Sequence, residues 1–417
     1  MRAEIIAVGS ELLTPYRVDT NSLYLTSELN RLGVRVVHKA IVGDSPQEMH
    51  LSFEHAMERA ELVVSSGGLG PTDDDRTRQT VASLLGRKLV RDEATFEKIQ
   101  ERFRRLGRTM PEINLRQAMI IEGCTVLPNP RGTAPGLWIE AGDRILLLLP
   151  GVPHEMKAIF EEHVKPRLAR LNIPERLYSR DVRISGLFES EVEQRVSSLY
   201  AAYPETDTTI LASPTGIQLH PSIWSKNPAE AESMLDEMTQ RMALVLGENL
   251  VSTRGETLEE ILARLLAENR ATIAVAESCT GGLLAERLTS LPGSSAFFLG
   301  GVICYSNELK TNLVGVPAEM IAVKGAVSPE VAIALADGIR RRTGASIGLG
   351  VTGIAGPGGG TPEKPVGLVY LALKADGTSR ERRLQLPGDR DRIRMFAAQA
   401  AMDMARRHFL FPAPLRD

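Results

Sequence analysis

The chain has 417 residues, 43% of them hydrophobic and 24% charged, the balance of a globular protein and not of a disordered or fibrous one. At roughly 150 residues per domain this is roughly 2.8 domains' worth of chain, which argues against a single small module. Lys and Arg total 49 against 52 Asp and Glu, a net charge of -3, and only 5% of residues are aromatic, so no basic or base-stacking surface marks nucleic acid as a direct partner.

Residues 1–170 alternate strands and helices. Glu4 to Val8 reads as a short apolar strand ended by Gly9-Ser10-Glu11. Leu25, Leu29 and Leu32 recur at helical spacing behind the candidate N-caps Asp19, Thr20 and Asn21, with Gly33 at the C′ position. Val34 to Ala40 is a second strand. Ser45-Pro46-Gln47-Glu48 is a capping box opening a helix whose apolar face is Met49, Phe53, Ala56, Met57 and Ala60. Leu62 to Ser65 is a third strand. This order predicts a parallel sheet covered by helices on both faces, with ligands at the carboxyl ends of the strands.

Residues 171–251 change texture. Strands at 181–185 and 209–211 and helices at 190–200 and 228–246, punctuated by prolines, predict a small α+β module. It has no GXXG clamp and no Lys/Arg-rich face, so it does not read as an RNA binder. After a linker at Ser252 to Glu256, Thr257 and Glu260 form a second capping box ahead of the stripe Leu258, Ile261, Leu262, Leu265 and Leu266. Strands at 272–276, 297–305, 347–351, 366–373 and 381–386, with helices from Asn307, Pro329 and about Arg390, make 255–417 a second α/β domain.

Cys124, Cys279 and Cys304 are scattered and odd in number, with no CxxC pair and no HExxH, which points to a reducing compartment without disulfides or a built-in zinc site. No signal-peptide pattern opens the chain, and apolar runs such as Ile145 to Leu149 are too short to span a bilayer. The expected location is the cytoplasm, with no membrane partner.

Three segments of the first domain can meet a ligand. Ser66 to Thr77 carries Gly67, Gly68, Gly70 and Thr72 between a strand and a helix, where glycines allow close approach to a phosphate and the helix start attracts it. Asp73, Asp74 and Asp75 follow, and adjacent carboxylates can hold a hydrated divalent cation. The plainer reading is a tight turn whose carboxylates cap the helix. Asn129 to Gly136 is a polar loop with one guanidinium, Arg131, and the strand 145–149 leads into Pro150-Gly151-Val152-Pro153-His154-Glu155.

In the second domain Ala276-Glu277-Ser278-Cys279-Thr280-Gly281-Gly282 is a strand–turn–helix elbow that presents a hydroxyl or a thiol beside N–H groups able to stabilise an oxyanion. Ser278 and Cys279 are both open as the nucleophile, as are plainer roles as a helix cap and a small buried residue. No histidine partner is evident. Tyr305 and Lys310, at a strand end and the start of a helix, can reach the crevice. A lysine acts as a base only if its pKa falls from about 10.4 towards about 7, roughly 4 kcal/mol, which desolvation supplies. The glycine-rich loop from Thr352 and Gly353 to Gly360, and Arg390 at the opening of the last helix, suit a phosphorylated ligand.

These motifs carry a resemblance. VGSELL (8–13), DTN (19–21), VGD (42–44), SGGLGPT (66–72), NPRGTAPG (129–136) and LPGVPHEM (149–156) resemble the molybdopterin-binding-like domain of the CinA family, competence/damage-inducible protein A. AESCTGG (276–282), FFxGGVxCYSNExK (297–310), GAVS (325–328), GVTGIAGPGGG (350–360), KPVG (364–367) and PGDR (387–390) are similar, in order, to its C-terminal nicotinamide-nucleotide amidase domain. The resemblance implies an α/β fold class with two three-layer α/β domains, at 1–170 and 255–417, joined by the small α+β module at 171–251. It implies that Ser278 is the nucleophile, with Tyr305 and Lys310 as activating partners, acting on nicotinamide mononucleotide without a cofactor. Gly281, Gly282, Thr352, Gly353 and Arg390 would bind the nucleotide or the oxyanion. For the first domain it implies hydrolysis of ADP-ribose with potassium and a divalent metal (Mg, Mn or Co). Asp73, Asp74 and Asp75 would lie near the metal, with Glu11 and Glu155 as further candidates, and Gly67, Gly68, Gly70, Thr72, Asn129 and Arg131 would lie at the phosphates. Thr14-Pro15-Tyr16 and Asp19 depart from the family's pattern. A homodimer is expected. Two other readings stand beside these: a non-catalytic pterin- or nucleotide-binding first domain, and an interaction protein of competence or DNA repair.

Overall fold

In a computed structural model, which describes residues 1–411, the chain forms two compact units, Met1–Leu177 with Trp224–Pro228, and Tyr178–Ile223 with the chain from Ala229 onward. The expected domain end at 417 lies outside the described residues.

The first unit runs β1 (Arg2–Val8), α1 (Asn21–Arg31), β2 (Arg35–Val42), α2 (Pro46–Arg59), β3 (Leu62–Ser66), α3 (Thr77–Leu84), β4 (Leu89–Arg91), α4 (Glu93–Arg105), β5 (Met119–Ile121), β6 (Thr125–Leu127), β7 (Gly136–Ala141), β8 (Arg144–Leu149), α5 (Pro153–Ile159) and α6 (Lys165–Arg170). Alternation along the strands makes its three layers. Ala3 and Ile5 of β1, with Leu147 and Leu149 of β8, pack against Leu25 and Leu29 of α1 and Ile159 of α5. Ile6, Val8, Leu146 and Leu148 point the other way, onto Met49 and Phe53 of α2 and Val81 of α3.

The sheet order is β2-β1-β3-β8-β7-β6. Its first four strands are parallel, but β7 is antiparallel to β8 and to β6. The wholly parallel sheet expected from the sequence is therefore corrected to a mixed one. The cause is local: β7 and β8 are joined by Gly142-Asp143, with Gly142 at φ +65°, and a two-residue connection permits only a hairpin. β2 and β3 flank β1 on opposite sides, so the chain reverses direction across the sheet beside β1 and opens a crevice at the strands' carboxyl ends.

The next elements lie wholly or in part in the second unit: β9 (Arg176–Ser179), β10 (Val182–Ile184), α7 (Glu189–Ala202), β11 (Asp207–Ser213), β12 (Gly216–Ser225), α8 (Pro228–Leu246) and β13 (Leu250–Ser252). These strands form a sheet of order β11-β12-β10-β13, with β9 on β12, over a core that includes Val182, Val192, Leu219 and Met238. The residues expected as a module at 171–251 fall in this unit, apart from Leu171–Leu177 and Trp224–Pro228. The module's last turn is locked to the C-terminal helix, where Arg406 donates to the carbonyl of Leu250 at 2.8 Å and pairs with Asp403 at 2.8 Å, both 1% exposed.

The chain continues through α9 (Leu258–Glu268), β14 (Ile273–Glu277), α10 (Leu283–Thr289), β15 (Phe298–Ile303), α11 (Asn307–Val314), α12 (Ala318–Lys324), α13 (Pro329–Thr343), β16 (Ile347–Gly353), β17 (Leu368–Ala375), β18 (Thr378–Gln385) and α14 (Arg390–Leu410). The sheet order is β15-β14-β16-β17-β18. Ile273 and Val275 of β14 face α9 and α14, whereas Ala274 and Ala276 face α11 and α13, again giving three layers. Gly348 and Gly350 let α13 lie close on the sheet, since a Cβ there would stand 2.1 and 2.3 Å from the carbonyls of Ala336 and Ala332. β15 and β16 flank β14 on opposite sides, so a second crevice opens above β14.

Candidate active sites

In the first unit the ends of β1, β3 and β8 converge. A Cβ on Gly67 would stand 2.0 Å from the carbonyl of Val8, and one on Gly151 would stand 3.3 Å from the Cα of Gly67. The Asn21 amide ties α1 to both neighbours, donating to the Ser66 hydroxyl and the Gly151 carbonyl at 2.8 Å each. Gly68 (φ +65°) turns the chain over Thr77. Arg78, 1% exposed, donates to the carbonyls of Leu69 and Gly70 at 2.8 and 3.0 Å, and burial lowers its pKa to about 10.

The three aspartates do not act together. Asp75 accepts from the N–H groups of Gly70 and Thr72 at 2.8 and 2.9 Å and from the Thr72 hydroxyl, so it braces the loop from within. Asp73 is paired with Arg116, and Asp74 is exposed. Glu155 accepts from Asn129 at 2.6 Å. Glu11 folds back beside Gly9, where a Cβ would meet its carboxylate. Among the described residues no group of three or more Asp, Glu, His or Cys could hold a metal ion. The metal expected from Asp73, Asp74, Asp75, Glu11 and Glu155 thus does not fit these residues as they stand.

Asn129 also departs from the phosphate role expected of it. Its Nδ2 serves Ala134 and Glu155, and its Oδ1 accepts from the N–H groups of Arg131 and Gly132, so the amide organises its own loop. The Arg131 guanidinium is exposed and, among the described residues, carries no ion pair that would hold it back from an anion.

In the second unit the crevice gathers the ends of three strands: Ser278 after β14, Tyr305 after β15, and Thr352 and Gly353 at the end of β16. Ser278 is 8% exposed and its N–H donates to Val351 at 3.0 Å. Lys310 lies on α11, which Ser306 caps by accepting from Leu309 at 3.1 Å. Lys310 is 1% exposed, and its ammonium donates to the carbonyls of Cys304 and Tyr305 at 2.9 and 3.0 Å. Burial lowers its pKa, against the opposing pull of Cys304, Cys279 and Tyr305 nearby. The Cys279 thiol is 5% exposed, and burial pushes its pKa up to about 12. The exposed Tyr305 phenol accepts from Arg390 at 3.1 Å, and Arg390 also donates to Gly356 at 2.7 Å. Among the described residues the Ser278 hydroxyl has no hydrogen bond to Lys310 or Tyr305; the three share the crevice without a closed relay.

Two expected roles change. The Gly282 N–H does not wait for an oxyanion: it donates to the buried Glu277 carboxylate at 3.0 Å, as do those of Leu284 and Ala285 at 3.0 and 2.8 Å, and the Gly281 N–H donates to Ser278 at 3.2 Å. The Thr352 hydroxyl, 1% exposed, spends its proton on the Ala326 carbonyl at 2.7 Å, and a Cβ on Gly353 would stand 2.7 Å from Leu368. Lys364 pins the same neighbourhood through the carbonyls of Lys324 and Val327 at 2.8 and 2.7 Å.

Sequence reading missed Arg394, whose guanidinium donates twice to the Thr280 carbonyl at 3.1 and 3.0 Å. Its spacing was the available signal, since it stands four residues beyond Arg390 and so on the same face of α14.

Comparison with known proteins covers both units. A family model described as CinA C-terminal domain matches residues 255–409, and one described as probable molybdopterin binding domain matches residues 4–170. A CinA-like protein of Solibacter usitatus is 46% identical over 408 residues, 98% of each chain. One of Acidobacterium capsulatum is 48% identical over 414 residues, 98% of this chain and 100% of that one. Among solved structures, the protein CinA with unknown function from Thermoplasma acidophilum is 37% identical, covering 40% of this chain and 96% of its own, with a TM-score of 0.37.

Proposed function

The chain belongs to the CinA family, and from that membership and the crevice around Ser278 we propose that its second unit hydrolyses the carboxamide of nicotinamide mononucleotide to nicotinate mononucleotide and ammonia. The observation that carries the reading is the buried lysine beside the nucleophile turn. A desolvated amine gives up its proton more readily than one in water, and it can then take the proton of Ser278 directly or through Tyr305. The Ser278 oxygen attacks the amide carbon, the negative oxygen is received by N–H groups of the turn, and the proton passes to the amide nitrogen as the C–N bond breaks. Water then adds to the acyl carbon, the bond from that carbon to the Ser278 oxygen breaks, and the oxygen takes a proton from the water. Arg390 and the N–H groups of the glycine loop suit the ligand's phosphate.

Serine is favoured over Cys279 on a physical ground. A thiol attacks as thiolate, and burial opposes that form here. Ammonia release from nicotinamide mononucleotide is expected from the wild type and from Cys279→Ala, with a loss of at least about 1,000-fold in Ser278→Ala. Activity surviving in S278A but lost in C279A would reverse the assignment.

For the first unit we propose hydrolysis of ADP-ribose to AMP and ribose 5-phosphate, supported by the domain match, the glycine loop and the exposed Arg131. Among the described residues its carboxylates form no ligand set for a metal ion. The full chain carrying S278A is the material for the test, assayed with and without divalent metal and potassium. Product is expected, and tight binding without turnover would leave a nucleotide-binding module instead.

A further inference from the structure

The turn that carries Ser278 has few free donors. Ser278 N–H donates to Val351, Gly281 to Ser278 and Leu283 to Thr280, while those of Gly282, Leu284 and Ala285 go to the Glu277 carboxylate. Between Ser278 and Ala285, only the N–H groups of Cys279 and Thr280 lack an oxygen partner among the described residues; both lie beside the Cys279 sulfur, a weak acceptor that leaves them available to a stronger one. Glu277 therefore does more than end a strand. Its buried carboxylate withdraws the helix-start donors from any ligand and confines the choice to the turn itself.

The turn is not rigid by its own sterics. Gly281 and Gly282 lie at φ +61° and +95°, and the Thr280–Gly281 peptide rotates through ψ of Thr280 and φ of Gly281. Glycine pays nothing for either sign of φ, so the peptide could face two ways. Two donors hold it one way, the Leu283 N–H at 3.3 Å and, at shorter range and with charge, Arg394. Its Nε and Nη2 both donate to the Thr280 carbonyl, at 3.1 and 3.0 Å, and charge-assisted bonds of this kind are stronger than neutral ones. Reversed, the Thr280 carbonyl would face that of Ser278, which now accepts from Gly281 at 3.2 Å, and the repulsion would open the turn.

We propose that Arg394 is a positioning residue: by holding the Thr280 carbonyl it keeps the nucleophile turn closed and leaves the N–H groups of Cys279 and Thr280 as the donors that receive the oxyanion. This rests on the amide-hydrolysis reading of Ser278 given above. Donors aimed at the oxyanion act on the transition state more than on bound substrate, so their misplacement lowers kcat and leaves KM nearly unchanged.

The test uses the full chain as wild type, Arg394→Ala and Arg394→Lys. It reads kcat and KM for ammonia release from nicotinamide mononucleotide, the rate at which an alkyl fluorophosphonate labels Ser278, and the thermal midpoint. R394A is expected to slow both kcat and labelling by about 10- to 100-fold at unchanged KM and midpoint. R394K, with one ammonium to offer the same carbonyl, is expected to recover part of each rate, and it remains a test by itself if R394A does not fold. Wild-type rates in R394A, or equal loss in both variants with a raised KM, would overturn the proposal. A wild type that is labelled at Ser278, slowed by R394A, but inert to nicotinamide mononucleotide would overturn the substrate reading and leave this one standing. A wild type not labelled at Ser278 would overturn it.

Discussion

At the scale of single residues the second unit sets two buried groups against each other. Burial opposes charge on both Cys279 and Lys310, and the effects differ in sign for chemistry: a thiol kept protonated is a poor nucleophile, whereas an amine kept neutral is a good base. The pH dependence follows. In the proposed reaction the active form of Lys310 is the neutral amine, so kcat/KM is expected to rise with pH through the folded pKa of Lys310, which lies below the ordinary lysine value of about 10.4. Stability runs in the same direction, because the lowered pKa makes a contribution that is present above the ordinary lysine range and is lost as pH falls through the folded value. Lys310→Arg is expected to be inactive throughout, since a guanidinium keeps its proton. A profile that stays flat between about pH 6 and about pH 10, or an active K310R, would remove Lys310 from the base role.

At the scale of elements, what was legible in the sequence was what is local. Ser45 caps α2 by accepting from Glu48, Thr257 and Glu260 make a reciprocal capping box on α9, and α8 spans the Pro228–Leu246 expected of it. These features depend on residues three or four apart, which a sequence displays directly. The partners of β7 were not legible, because the strand was not anticipated and its pairing depends on a two-residue turn. The same division runs through the sites. AESCTGG reads as a turn that presents a hydroxyl or a thiol, but nothing in it says that Glu277 reaches the N–H groups seven and eight residues on, or that Arg394, more than a hundred residues away, holds the Thr280 carbonyl. DDD suggests a cation site because three carboxylates are adjacent in sequence. In the turn their side chains diverge, one bracing the loop and one pairing with Arg116.

At the scale of the whole molecule, a net charge of -3 is compatible with anionic ligands because the expected recognition is local, through loop N–H groups and single cations such as Arg131 and Arg390. No helix among the described residues is long and apolar enough to cross a membrane. The second unit is held together by α14, which opens with Arg390 at the crevice and carries, farther along, the buried Asp403 that accepts from Arg406 and Arg407 at 2.8 Å each. Arg407 reaches on to Glu248, and Arg406 to the carbonyl of Leu250, so one carboxylate orients both cations that fasten the small module to α14. Removing it leaves the Arg406 guanidinium, 1% exposed, without a countercharge, and leaves Arg407, 9% exposed, with Glu248 alone. Breaking a buried pair in this way costs about 3–5 kcal/mol. For a unit of this size that corresponds to a fall of roughly 6 to 20 °C in the unfolding midpoint of Asp403→Ala. Arg341→Ala, which breaks an exposed pair with Asp337, is expected to shift the midpoint by no more than its worth of about 1 kcal/mol allows. Calorimetry on the two variants decides: comparable shifts would mean that the Asp403 cluster is not what fastens the module, and a large shift confined to D403A would show that it is.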